Sequence, residues 1–368
     1  MFHEFTEIAP KLPGIKAIQI SAHLDNQGQN NFKLIRLISA FGVIWSHCYG
    51  AKDPIYRISG NLVGGSGMAM QTFFFLSGLL VAQSLDKSPS RRNFVWKRFL
   101  RLYPAAVTAI LATALILGPL LTTLPLNAYF TDPLFFRYLR SILLIQIHSQ
   151  LPGVFTDSPV GPDVNASLWS LTIEWKCYAG LFLASFIPRK TRPLILLALL
   201  LALLVADAAL YSRIQSAGSS LLGPAFNFAP YTRLASFFLI GNLVYYHRHR
   251  IKIRPWWPLA ILLAAIGISP LGETAFFYAA CLLLPALILY LGFTATSFLQ
   301  RLTPRPDCSY GYFIWGYPIE QLLIHYLHLN NSTLLFLLTL LLTLPLALLS
   351  WYCIEYPAIK QKKAIRDK

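Results

Sequence analysis

The chain has 368 residues, 55% of them hydrophobic and 12% charged, with a mean hydropathy of +0.53 and a formal net charge of +16. A soluble domain of this length carries about twice that charged fraction; with apolar runs long enough to span, the composition excludes an ordinary soluble globule and points to a polytopic helical membrane protein. The positive charge then reads as loop bias and contact with lipid headgroups, not as a nucleic-acid surface, because no basic stretch is interleaved with aromatics as a base-stacking platform.

Residues 1–30 are polar, contain prolines and glycines, and do not read as a cleaved signal peptide. They form a polar N-terminal segment ahead of a transmembrane domain at 31–357 and a basic tail at 358–368. Within the domain the apolar runs predict spans near 32–49, 68–86, 104–124, 167–187, 193–211, 231–247, 256–270, 274–297, 308–328 and 333–353. A further apolar piece at 134–150 is short and carries Arg137, Arg140, Gln146 and His148.

Charge decides the fate of that piece. Basic clusters lie at 87–101 (Lys87, Arg91, Arg92, Lys97, Arg98, Arg101), at Arg189, Lys190 and Arg192, and at Arg248, Arg250, Lys252 and Arg254. Arg301 and Arg305 follow, then the tail from Lys360 to Lys368. Placing all of them on the cytoplasmic side puts 24 of the 31 Lys and Arg inside, counting Lys11, Lys16, Lys33 and Arg36. That requires an even number of crossings between 87–101 and 189–192, so 134–150 must not cross. The predicted fold class is all-α: a polytopic transmembrane bundle of about ten spanning helices plus one re-entrant or interfacial helix, with both termini cytoplasmic.

Charged and polar residues within the spans are the candidate functional groups. In "RLISAFGVIWSH", Arg36 and His47 are eleven positions apart, three helical turns plus about 20°, so they share a face about 16 Å apart along the axis. Arg36 can snorkel at the cytoplasmic end, whereas His47 is buried toward the other and needs a hydrogen-bond partner. Glu174, in "SLWSLTIEWKCY", is expected about 10 Å below the outer surface, at the depth of His47. The pair reads either as a structural hydrogen bond between helices or as a carboxylate that orients a catalytic imidazole.

In "KRFLRLYP", Arg98 and Arg101 share a helix face at the cytoplasmic mouth. They read either as ordinary positive-inside charge against headgroups or as a phosphate-binding pair, since a guanidinium donates two parallel hydrogen bonds. "QTFFFLSGLL" reads as core, with Gly78 beside Ser77 permitting close helix approach. "DCSYGYFIWGYPIE" puts Glu320 near mid-membrane, where Arg233 or a water-filled cavity would have to satisfy it. Ser170, Tyr178, Arg233 and Glu320 complete the candidates for facing substrate or lining a channel. Cys48, Cys177, Cys281, Cys308 and Cys353 are scattered without ligand spacing, so neither disulfide nor metal site is expected. Nothing matches a nucleotide-binding glycine loop, a zinc motif or a nucleophile elbow.

Five pieces in this order resemble the acyltransferase 3 family of integral-membrane O-acyltransferases: "LIRLISAFGVIWSH", "MQTFFFLSGLLV", "FVWKRFLRLYP", "SLWSLTIEWKCY" and "SYGYFIWGYP". The resemblance runs from about residue 31 to 357. It implies transfer of an acyl group, usually acetyl, from cytoplasmic acyl-CoA to a hydroxyl of a glycan or lipid-linked saccharide. It implies no permanently bound cofactor and a place in the bacterial inner membrane. It places the catalytic histidine at His47, the glutamate at Glu174, and donor contacts at Arg98, Arg101 and Arg36.

Two positions depart from the family pattern: Gly316 stands where members often have histidine, and Trp175 where a second carboxylate often follows the glutamate. The short tail also leads us to expect none of the extra periplasmic hydrolase-like domain that some members carry. A transporter or flippase of a lipid-linked sugar is the rival reading, since it accounts equally well for many spans and buried charges.

Overall fold

The computed structural model describes residues 17–25, 30–59, 64–217, 229–294, 302, 306–329 and 331–364. Lys11, Lys16, Arg301, Arg305, residues 295–297 of the eighth predicted span and 365–368 of the tail lie outside the described residues.

Ten principal helices occupy the predicted spans: α1 (Phe32–Tyr49), α2 (Gly65–Asp86), α3 (Arg91–Ala112), α4 (Trp169–Ala184), α5 (Arg192–Ala217), α6 (Ala229–Tyr246), α7 (Trp257–Ile268), α8 (Glu273–Phe293), α9 (Ser309–Leu327) and α10 (Ser332–Ser350). Their starts follow the expected capping chemistry. Ser90 Oγ accepts from the Asn93 N–H at the head of α3, and Asn331 Oδ1 accepts from the Leu334 N–H at the head of α10. A two-residue strand β1 (Ile18–Gln19) pairs antiparallel with β2 (Lys252–Ile253), Ile18 opposite Ile253.

Five described stretches are long and apolar enough to cross a membrane: Gly65–Asp86, Arg91–Leu121, Arg192–Ala209, Glu273–Phe293 and Ser332–Gln361. By that measure the count of ten crossings is not established. Helix α1 carries Lys33 and Arg36, α9 carries Glu320 and Gln321, and α4 has only 16 residues. These helices give up apolar character to face the protein interior.

The centre is a close crossing of α2 and α6. A Cβ on Gly78 would lie 2.0 Å from the Phe238 carbonyl oxygen, and one on Gly241 would lie 2.3 Å from that of Phe75. The two backbones therefore touch, and only glycine fits. Phe75, Leu79, Phe237 and Phe238 pack around the contact, each at most 1% exposed.

Described basic clusters gather at one end of the bundle. Asp86 at the end of α2 accepts from Arg189 at 2.6 Å, and Arg91 donates to Ser185. Gln83 and Lys87 donate to the Leu24 carbonyl, beside the segment whose strand β1 pairs with β2. The helix Tyr356–Ala364 packs against α3 at the same end.

The piece predicted not to cross is the short helix Pro133–Leu139 with the turn Arg140–Leu143, too short to span. The loop behind it folds into the bundle: Leu144, Leu151, Val154, Phe155 and Val164 are at most 3% exposed. Non-helical backbone at this depth is tolerated where protein buries it. Pro318 in α9 lacks the N–H that would bond the Ile314 carbonyl, and Asn165 Nδ2 donates to that carbonyl at 2.8 Å. Ser167 Oγ donates to the Phe313 carbonyl at 3.1 Å. The start of α4 is thus pinned to α9 only four or five residues beyond Ser309, close to the basic end.

Candidate active site

Arg36, Arg98 and Arg101 come together at the basic end around one cavity of about 760 Å³, counting its open mouth. Ser170, Glu174 and Tyr178 from α4 line it as well, with Ser77 and Met70 from α2 and Tyr310 and Phe313 from α9. Glu174 accepts from Ser77 Oγ at 2.8 Å and from the Tyr178 hydroxyl. One turn of α4 and one residue of α2 therefore fix the carboxylate.

The three guanidinium groups are held differently. Arg36 donates to Asp307 at 2.7 Å, and Arg101 lies 3.6 Å from both Asp307 and Glu355. Burial pushes the Asp307 carboxyl up, but Arg36, Arg101 and the Ser309 hydroxyl outweigh it and hold it below the usual carboxylate range. Arg98 forms no ion pair among the described residues. It donates to Ser84 Oγ at 3.2 Å, sits over the Tyr178 ring at 5.9 Å, and its buried Nε has no hydrogen-bond partner. A buried cation with an open donor is the arrangement an anionic ligand completes.

His47 lies elsewhere. Its ring meets the Tyr317 ring edge-on, centroids 5.0 Å apart. The predicted meeting of Glu174 with His47 does not occur. The sequence puts the outer surface at Ser167, whereas α4 begins well inside the bundle, pinned to α9, so Glu174 lines the cavity with the arginines instead. Of the lining residues on α2 and α9, Met70 and Phe313 are the farthest from the basic end. Ala69, next to Met70, faces Gly42, five residues before His47, so the end wall stands about 7–8 Å short of the imidazole along α1.

Beside His47, Asp53 ties the end of α1 to the start of α2. Its carboxylate accepts from Trp45 Nε1 at 3.0 Å, Ser46 Oγ at 2.8 Å, the Ile55 N–H at 2.9 Å and the Gly65 N–H at 2.8 Å. Burial raises this carboxyl, and the four hydrogen bonds together lower it further, so it stays ionised below the usual range.

The other candidates are not at the cavity. Arg233 pairs with Asp207 at 3.3 Å and Glu273 at 3.0 Å near the opposite end, not with Glu320. Glu320 is 3% exposed and is not among the residues lining the cavity. The sequence reading missed the roles of Asp307, Glu355 and Asp53. Glu355 carried the same signal as Glu174, an acid beside an apolar run, but fell two residues past the last predicted span. A π-helical turn at Trp351–Glu355 brings it round to Arg101. Among the described residues no cluster of three or more His, Cys, Asp or Glu is arranged to hold a metal ion.

Residues 29–352 match the acyltransferase domain family. The O-acetyl transferase of Shigella phage Sf6 is 27% identical over 336 residues, covering 89% of this chain and 95% of the relative. Nodulation protein 10 of Rhizobium leguminosarum bv. viciae is 28% identical over 368 residues, covering 92% and 95%. No solved structure matches the chain. The family match runs from just before α1 into the π-helical turn after α10, and so takes in the arginine cavity, Glu174 and His47 alike. The chain belongs to the acyltransferase 3 family and is a membrane-embedded acyltransferase.

Proposed function

We propose that the protein moves an acyl group, acetyl in the first instance, from acyl-CoA at the arginine end to a hydroxyl presented near His47. The observation that carries this reading is the cavity in which Arg36, Arg98 and Arg101 converge, Arg36 standing on the same helix that bears His47. Coenzyme A is too anionic to enter hydrocarbon, so its phosphates stay with Arg98 and its neighbours. The pantetheine arm, on the order of 20 Å, then lies along α1 and reaches well into a core about 30 Å thick. Reaching His47 requires the wall at Met70 and Phe313 to part. Glu174, anchored by Ser77 and Tyr178, faces the donor path and offers an acceptor to the arm's amide N–H groups.

His47 then takes the proton of the acceptor hydroxyl as the oxygen attacks the thioester carbonyl. As the C–S bond breaks, the same ring returns the proton to the departing thiolate, giving an ester and free CoA thiol. A site enclosed by the bundle protects the thioester from hydrolysis. The acceptor we favour is a glycan or lipid-linked saccharide; the name of the phage O-acetyl transferase supports acetyl as the group and oxygen as the atom that receives it. The setting is a bacterial inner membrane with the arginine end and both termini cytoplasmic.

The test is transfer of labelled acetyl from acetyl-CoA in washed membranes, with mass spectrometry of surface glycans for the product. Loss of transfer in His47→Ala with a glycan shift of one acetyl in the native protein supports the reading. Undiminished transfer in that variant, or movement of a lipid-linked sugar without acetylation, contradicts it.

A further inference from the structure

Helix α9 carries a second buried carboxylate that the donor cavity does not use. Glu320 is 3% exposed, and its Oε2 is buried with no hydrogen-bond partner. Such a group costs free energy unless something completes it.

Its position on α9 follows from two contacts. A Cβ on Gly316 would lie 2.8 Å from Ile44, so that line of α9 faces α1. Tyr317, about 100° further round, meets His47. Glu320 projects about 40° from Gly316, between those two directions and one turn further along. On α1, His47 and Cys48 likewise lie one turn beyond Ile44. An imidazole and an unpartnered carboxylate oxygen therefore stand at one level of two helices in contact.

The other titratable groups nearby hold partners of their own, Asp163 accepting from Ser149 Oγ at 2.6 Å. Tyr317 receives a hydrogen bond from Gln321, Tyr312 donates to the Leu340 carbonyl, and Tyr49 bonds Thr333. Helix α10 contributes Thr339 and Thr343, which are neutral.

We propose that Glu320 is the positioning carboxylate of His47, accepting its ring N–H directly or through one water. It fixes the tautomer, leaves the other nitrogen free to take the hydroxyl proton, and balances the imidazolium that forms. The assignment rests on His47 being the base.

The test measures acetyl transfer from acetyl-CoA into the membrane acceptor across roughly pH 5 to 9 for the native protein, Glu320→Gln and His47→Ala. Glu320→Gln is expected to lower kcat about tenfold or more with KM for acetyl-CoA unchanged, and to move the acid inflection to lower pH. Native kcat and inflection in Glu320→Gln, beside an inactive His47→Ala, overturn the role of Glu320 alone. Activity in His47→Ala overturns the base and this assignment together. Where Glu320→Gln does not fold, Glu320→Ala with added formate decides: restored turnover supports the proposal, and absence of rescue in folded protein overturns it.

Discussion

Arg36 and Arg98 face the same cavity but are expected to fail in opposite ways when replaced by glutamine. Arg36 is paired with Asp307 at 2.7 Å, with side-chain exposures of 20% and 7%. Breaking a buried pair costs about 3–5 kcal/mol because a charge is left without its partner. Here Arg101 still faces Asp307 at 3.6 Å and Ser309 still donates to it, so about 2–3 kcal/mol is expected. Arg98 breaks no ion pair when replaced; it loses the bond to Ser84 and the contact with the Tyr178 ring, together about 1 kcal/mol.

Binding reverses the order. A guanidinium with no carboxylate partner is free to donate to phosphate, and hydrogen bonds to a charged group contribute about 1.5–3 kcal/mol. Arg98→Gln should therefore raise KM for acetyl-CoA about 10- to 150-fold while barely moving the thermal midpoint. Arg36→Gln should lower the midpoint by several degrees, with the smaller change in KM. Acetyl-CoA kinetics and thermal unfolding of both variants in detergent decide the matter. A KM within about twofold of native in Arg98→Gln, or a midpoint as low as that of Arg36→Gln, refutes the division of labour.

Three further outcomes follow from the packing. Gly78→Ala should destabilise the bundle by about 3 kcal/mol or more, since a Cβ 2.0 Å from a backbone oxygen forces α2 and α6 apart; an unchanged unfolding midpoint refutes the close crossing. Gly316→His should cost about 1–3 kcal/mol by driving into Ile44, and adding Ile44→Ala should recover part of the loss, as a double-mutant cycle would measure. Asp53→Asn should lower both stability and turnover by loosening the segment beside His47. Because the folded pKa of Asp53 is depressed, its contribution is full above the unfolded value of about 3.9 and is lost as pH falls through the folded one. The native protein should therefore lose this increment only in that acid range, and a pH scan of the unfolding midpoint should show a drop there that Asp53→Asn lacks.

The helices were legible because long apolar runs and basic punctuation leave few alternatives, and the pairing of Arg98 with Arg101 followed from helical spacing alone. The depth of Glu174 was not legible. "LPGVFTDSPVGPDVN" has the composition of a surface loop, and nothing local shows that Asn165 reaches the carbonyl that Pro318 frees. Counting turns from Ser167 therefore started at the wrong level and assigned Glu174 to His47. Asp307 was visible as a residue, but its pairing with Arg36 joins positions 271 apart and depends on tertiary packing. Asp53 escaped notice because a clasp of four hydrogen bonds across two turns has no sequence period.

The central claim is that a thioester reaches His47 while its anionic head stays with the arginines. A CoA thioester bearing a photoreactive acyl group tests it directly, with the cross-linked peptide identified by mass spectrometry. Labelling is expected within Ile44–Cys48 or at Tyr317, abolished by excess CoA and by Arg98→Gln. Labelling confined to the lipid-facing surfaces of α5 and α7, unaffected by either, would contradict it.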